Sequence, residues 1–473
     1  MTRATRTPQL VLMVVFSLVI LTFAVADFYR ILPQSVVTLL VLLLTWRRLA
    51  PIWESPALAF SVFMFFNAVF GYTFSNFLSA YGGTAGADTA LSDALRLSTA
   101  NVFFLAATLV PITACALSGR PAPTHDLVRT YQPISSRANA WGLALATAVL
   151  IALATLQGLP WLLMRGARFT GDTGGATSLL LLLGVASCVF LGSAIASRST
   201  AARVFGWALI AGYALLYIAL ASRSLALLPL LVLAGAGLLG AKRLSWRSIL
   251  AASTLAVLLL PIPLLLRSGS DHGLLPYIDI LASTKFSLED YLTSANNVLN
   301  GFGIVGTTAF RVQPITPEQL AVSLSPLTGD AAGWYEIASG LRLNFYTPYA
   351  ALGELANVGW ATFTISMLVL GLAFGIIERA ARRIARTPRV AVLRFLPIGL
   401  CYLFTIQMTQ YNLRSEARLV YYAIIAALVL SIIARLLPER RSVSTASSER
   451  LQQARFGSTR PPHAPDRRSG VGR

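Results

Sequence analysis

The sequence predicts an all-α, polytopic integral membrane protein of about twelve transmembrane helices, and three observations predict it. Hydrophobic residues make up 56% of the 473 positions and charged ones only 12%, with a mean hydropathy of +0.68. Apolar runs close to the ~20 residues that cross a hydrocarbon core recur along the whole chain. The arginines gather in alternate loops between those runs, as cytoplasmic segments do.

The candidate spans are 9–26, 31–46, 56–76, 98–117, 139–157, 177–196, 204–221, 224–240, 248–266, 348–376, 394–411 and 418–436. The second is short and is expected to pair tightly with the first. Ala24-Val25-Ala26 resembles a signal-peptidase site, but the run before it is long for a signal segment, so an uncleaved first span is the expectation. With Arg3 and Arg6 on the cytoplasmic side, the inner segments take Arg47 and Arg48, Arg120 to Arg137, Arg198 and Arg203, Lys242 to Arg247, the run Arg379 to Arg394, and the arginines from Arg435 onward. Both termini are then cytoplasmic. The net charge of +19 reads as anchoring against anionic lipid rather than as a nucleic-acid footprint. Residues 1–437 form the membrane domain, and 438–473 read as a disordered basic tail.

One connection stands out. Residues 267–345 form a large outward loop, while most other loops are short. Loops of that length are functional or disordered, and this one carries helical pattern. Ser287-Leu288-Glu289-Asp290 reads as a capping box. The apolar spacing of Phe286, Leu288, Tyr291, Leu292, Ala295 and Leu299 then predicts an amphipathic helix at the interface. Thr316-Pro317-Glu318-Gln319 is a second helix start. Gly301-Phe302-Gly303-Ile304-Val305-Gly306 matches GxGxxG in letters, yet it follows a helix and has no βαβ context. A bend or close backbone packing is expected there, not a dinucleotide site.

The residues that carry chemistry lie around this loop. Arg223, in Ala221-Ser222-Arg223-Ser224, sits on the outer side, against the bias that keeps arginine inside. An arginine so placed holds an anion or snorkels from a helix end. Glu354 and Asn357 are three residues apart near the start of the tenth span, on one helix face. A carboxylate there is costly unless paired or wet. Arg414-Ser415-Glu416-Ala417-Arg418 is a charged turn that reads either as a local ion pair or as Arg418 engaging Glu416 and freeing Arg414. The three cysteines, Cys115, Cys188 and Cys401, fall inside apolar spans, and no His/Cys/Asp group has ligand spacing, so neither a disulfide framework nor a metal is expected.

The stretch Pro348 to Trp360, with its Gly-Glu-Leu-x-x-Asn-x-Gly core, resembles the last third of the oligosaccharide repeat-unit polymerases, the Wzy-type O-antigen and exopolysaccharide polymerases. Ser222-Arg223-Ser224 before an apolar span is similar to that family's mid-chain arginine. Ser325-Pro326-Leu327-Thr328-Gly329 resembles a turn seen before its Glu motif. These motifs cover about a tenth of the chain. The resemblance implies a GT-C-like membrane glycosyltransferase in a bacterial cytoplasmic membrane, without cofactor or metal. Its substrates would be a lipid-linked oligosaccharide donor and a lipid-linked acceptor. Its surroundings would be membrane lipids, with a flippase and a chain-length regulator as partners, and no nucleic acid.

Such chemistry needs cations for a diphosphate leaving group. Arg223, Arg342 and Arg414 lie at or near span boundaries and are the candidates, arginine suiting phosphate by its planar fork. Glu354 is the candidate general base and His272, the only outer histidine, its rival. Trp334, Tyr335 and Asn357 are the candidate sugar contacts, although interfacial anchoring is the commoner use of Trp and Tyr. Another polyprenyl-linked GT-C enzyme or a glycan ligase is the nearest alternative. A transporter or flippase would instead place charges deep in the spans and show a repeat.

Overall fold

The computed structural model describes residues 31–436, apart from 47, 50–53, 82–87, 118–135, 167–174, 240–244, 268–270, 345–346, 386 and 388–390. The expected first span, 9–26, and the tail 438–473 lie outside the described residues. The other expected spans all fall on helices, and no extended strand occurs among the described residues.

The chain begins with α1 (Ile31–Trp46), α2 (Pro56–Ser79) and α3 (Asp93–Leu117). A second group follows: α4 (Ser136–Gln157), the short α5 (Leu159–Leu163), α6 (Gly175–Ile195), α7 (Thr200–Ala219), α8 (Ser224–Leu238), α9 (Trp246–Leu259) and α10 (Ile262–Leu265). The long loop is built of α11 (Leu274–Ser283), α12 (Leu288–Leu299), α13 (Gly301–Phe310), α14 (Pro317–Leu324) and α15 (Trp334–Ile337). The chain ends in α16 (Ala351–Val358), α17 (Trp360–Ala385), α18 (Phe395–Gln407) and α19 (Leu413–Leu436). Seven stretches among the described residues are long and apolar enough to cross a membrane: 56–79, 93–117, 139–157, 200–219, 246–265, 360–385 and 413–436. The sequence-expected spans at 31–46, 224–240 and 394–411 fall on shorter apolar helices, and that at 177–196 falls on the 21-residue α6.

Two cores organise these elements. Phe60, Met64, Phe103, Phe104, Phe302, Leu352, Phe374 and Phe404 pack together, so α1–α3 share one core with α13 and α16–α19. Leu143, Cys188, Leu191, Tyr213, Tyr217 and Leu228 form the other, from α4–α8. The first bundle is thus made from both ends of the chain and the second from its middle. Apolar helices gain little from burial against each other in lipid, so polar pairs and close packing hold them. Gln34 donates to Asn101 at 3.2 Å and Thr38 meets Thr108 at 3.3 Å, tying α1 to α3. Tyr213 donates to the Ala146 carbonyl at 2.8 Å, tying α7 to α4. At the bundle end away from the long loop, Arg394 pairs with buried Glu54 at 3.0 Å and Arg382 with fully buried Glu378 at 2.7 Å.

The loop is ordered as its caps predict. Ser287 and Asp290 form a reciprocal capping box at α12, and Thr316 and Gln319 another at α14. The GxGxxG letters form α13, a buried helix rather than a bend. A side chain at Gly301 would meet Thr409 Oγ1 at 2.5 Å, and one at Gly306 would meet Thr99 Oγ1 at 2.4 Å. Phe302 stacks on Phe103 with centroids 5.5 Å apart. α13 therefore dips into the first bundle and seats α16 behind it.

One expected span changes form. The run 348–376 is broken at Gly359, where φ is 129°, into α16 and α17. Glu354 consequently lies in a short helix ahead of the crossing helix. α16 and α13 touch so closely that a Cβ at Gly353 would sit 2.6 Å from Thr308 Cβ and 2.8 Å from the Val305 carbonyl. Gly353→Val is expected to cost about 1–3 kcal/mol of stability by overpacking, seen as a lower melting temperature in detergent. A melting temperature equal to the parent's would mean the two helices are free to separate.

Candidate functional site

Arg223 owes its place to the end of α7. Ala221 adopts φ 47°, the left-handed position usually taken by glycine after a helix. The Ala221 amide donates to the Ile218 carbonyl at 2.8 Å and the Ser222 amide to the Tyr217 carbonyl at 2.8 Å, the paired bonds of a Schellman end. This tight stop turns the chain, and Arg223 becomes the residue before the first turn of α8. Its guanidinium then leaves the second bundle and reaches the first. Nη1 donates to Gln410 Oε1 at 3.1 Å, and Nη2 to Asn297 Oδ1 at 2.6 Å. Gln410 in turn donates to the Val298 carbonyl, which fixes its amide.

Both partners of Arg223 are neutral amides, and none of the ion pairs among the described residues uses it. A half-buried guanidinium held by two amide dipoles is oriented without being neutralised. The surroundings are polar: Asn300 donates to Thr89 at 3.0 Å and to Asn296 at 2.8 Å, one turn along α12 from Asn297.

Arg414 is used differently. Its Nη1 and Nη2 donate to the carbonyls of Val322 and Leu327, both at 2.7 Å. Arg418 shares the Leu327 carbonyl at 3.0 Å, and Tyr421 donates to that of Leu324 at 2.6 Å. These three side chains of α19 close the open carbonyl end of α14 and the Pro-Leu turn after it, where a cation is favoured. The Arg414 guanidinium also lies 5.4 Å from the centre of the Trp334 ring. Neither local arrangement expected of 414–418 forms. Glu416 is buried with both oxygens unpartnered among the described residues, and Arg418 does not reach it.

Glu354 is 1% exposed. Its Oε1 accepts the Leu413 amide at 3.0 Å, so the carboxyl caps the first turn of α19 from another helix. Oε2 has no partner among the described residues. Glu354 is in none of the ion pairs among the described residues; burial dominates and pushes its pKa up to about 7, the Leu413 hydrogen bond opposing. The remaining candidates scatter. Asn357 spends its amide on the fold: Oδ1 accepts from Ile315 at 2.7 Å and Nδ2 donates to the Thr308 carbonyl at 3.1 Å, which closes the end of α13. Tyr335 is 70% exposed beside the half-buried Trp334. Arg342 is exposed and its main chain bridges to Pro348. His272 belongs to the second bundle, buried, with Nδ1 2.8 Å from Tyr277 Oη.

The structure brings together Arg223 and two amides that sequence reasoning did not assign, Asn297 and Gln410. Their signal was present: Asn296, Asn297 and Asn300 cluster in a helix, and Gln410 lies beside the charged turn. Glu354 and Arg414 meet the same helix, α19, at its first turn. No group of His, Cys, Asp and Glu that could hold a metal occurs among the described residues. Comparison of the chain with known protein families, with characterised proteins and with solved structures finds no match.

Proposed function

We propose that the chain is a repeat-unit polymerase that transfers a glycan from one polyprenyl-diphosphate carrier to the sugar of another, at the outer face of a bacterial cytoplasmic membrane. Arg223 carries the reading. It is an uncompensated guanidinium, aimed by two neutral amides, in a turn that joins two bundles of a membrane protein. As the anomeric bond breaks, negative charge grows on the departing diphosphate, and a fixed cation stabilises that charge best where water is scarce. Asn297 and Gln410 hold the fork in place so that no reorganisation is needed at that moment. Glu354, with a pKa near 7 set by burial, is suited to take the proton of the acceptor hydroxyl. Arg414 anchors α14 and the turn after it to the first turn of α19 through the Val322 and Leu327 carbonyls. A flippase supplying donor and a protein setting chain length are the partners this role needs.

Deletion of the chain is expected to leave single repeat units on the lipid carrier, identified by mass spectrometry of extracted lipids. Finished polymer left on the carrier would assign a ligase instead.

The reading needs the long loop on the outside, with twelve spans and both termini in the cytoplasm. Leu288→Cys and Tyr335→Cys, at positions 75% and 70% exposed, in a background lacking Cys115, Cys188 and Cys401, are expected to react with a membrane-impermeant thiol reagent in spheroplasts. Labelling only after lysis would reverse the topology and remove the basis for the proposal.

A further inference from the structure

A second cation at the loop end of the second bundle is left unused by the chemistry above. Arg165, just after α5, is 7% exposed. Its guanidinium lies 4.0 Å over the Trp161 ring, and Nη1 donates to the Trp161 carbonyl at 3.3 Å. Nε is buried without a partner, and no carboxylate pairs with Arg165 among the described residues. An aromatic face and one carbonyl replace only part of the hydration that a buried guanidinium gives up.

The backbone around it is tightly built. Arg165 and His272 exchange both main-chain hydrogen bonds, at 2.8 and 2.9 Å, as opposed residues of an antiparallel bridge. Opposed residues put their side chains on one face. His272 is fixed by Tyr277, which is fully buried. Directly after His272, Gly273 at φ 111° opens α11, whose first turn has no side-chain cap. The positive end of a helix therefore starts next to the buried arginine. The exposed surface nearby is apolar: Leu159 is 64% exposed, Met164 61%, Leu275 53% and Ile278 49%. This combination fits an anion that carries an apolar tail.

We propose that Arg165, its ring partner Trp161 and the first turn of α11 hold the phosphate group of a membrane lipid, with its tail along Leu159, Met164, Leu275 and Ile278. Phosphate matches the guanidinium fork, and the lipid supplies a counter-charge that no ion pair among the described residues gives Arg165. The site is separate from Arg223 and does not depend on glycan transfer. It lies close to that residue's turn, because Tyr277 shares a small core with Ala221 and Leu266.

The test is native mass spectrometry of the purified full chain in neutral detergent, titrated with phosphatidic acid, with diacylglycerol of the same tails, and with inorganic phosphate. Phosphatidic acid is expected to bind at least about tenfold tighter than either: over diacylglycerol because a hydrogen bond to a charged group contributes that much, and over inorganic phosphate because its tails leave water. Arg165→Gln should remove the preference, and Arg223→Gln should keep it. Equal binding by Arg165→Gln and the parent overturns the site, and inorganic phosphate matching the lipid overturns the lipid assignment. Unmodified protein offers a check independent of folding. A photoreactive phosphatidic acid is expected to label residues 158–166 or 271–283, and labelling confined to other segments rejects the proposal.

Discussion

Arg223→Lys is expected to insert and accumulate like the parent while transfer falls about a hundredfold, near 3 kcal/mol, the cost of removing one preorganised donor from a developing anion. Lysine keeps the charge but is a point donor, and it cannot reach Asn297 and Gln410 with two separate nitrogens as the guanidinium does at 2.6 and 3.1 Å. The fold should survive, because both partners are neutral amides and no buried carboxylate is left bare. Asn297→Ala and Gln410→Ala should each give a smaller loss, as variants that loosen the fork without removing it. In vitro polymerisation with purified protein and lipid-linked repeat units is the measurement. Full-length product at the parent's rate from Arg223→Lys would demote the residue to a snorkelling anchor that staples two bundles.

The helices were legible in the sequence because lipid demands length and apolarity, and these are local properties. The capping boxes at Ser287 and Thr316 were legible for the same reason: both partners lie within four residues. What the sequence could not show is which distant residues share a space. Arg223 stood out by the side of the membrane that the arginine pattern predicts for it, but its partners Asn297 and Gln410 are 74 and 187 residues away. Arg414 stood out by charge. Its partners are backbone carbonyls of Val322 and Leu327, which carry no sequence signal. Asn357 read as a sugar contact because it shares a helix face with Glu354, whereas tertiary packing uses its amide to close α13. The glycines of 301–306 suited either a bend or close packing, and only the neighbours Thr99 and Thr409 decide for packing.

Glu354→Gln separates two jobs that the same carboxyl could hold. Glutamine keeps the shape and the oxygen that accepts the Leu413 amide, so the cap on α19 persists. What it loses is the proton equilibrium. An unfolded glutamate ionises near 4.3, whereas burial moves the folded group to about 7. Between these values the folded state holds a proton that the unfolded state has released. Stability therefore falls as pH rises through that window, by up to about 4 kcal/mol, and glutamine should abolish that part of the fall. Above pH 7, Glu354→Gln is thus expected to melt at a higher temperature than the parent. Catalysis runs the other way. A base must be ionised, so the parent's rate should climb through the same pH near 7, and Glu354→Gln should transfer about 10²–10⁴-fold more slowly while still binding the lipid-linked acceptor. A variant that is more stable yet inactive would assign the carboxyl to proton transfer. One that is more stable and fully active would leave Glu354 as the cap of α19, and a dead His272→Ala measured beside it would move the base to the second bundle, where Tyr277 orients the imidazole.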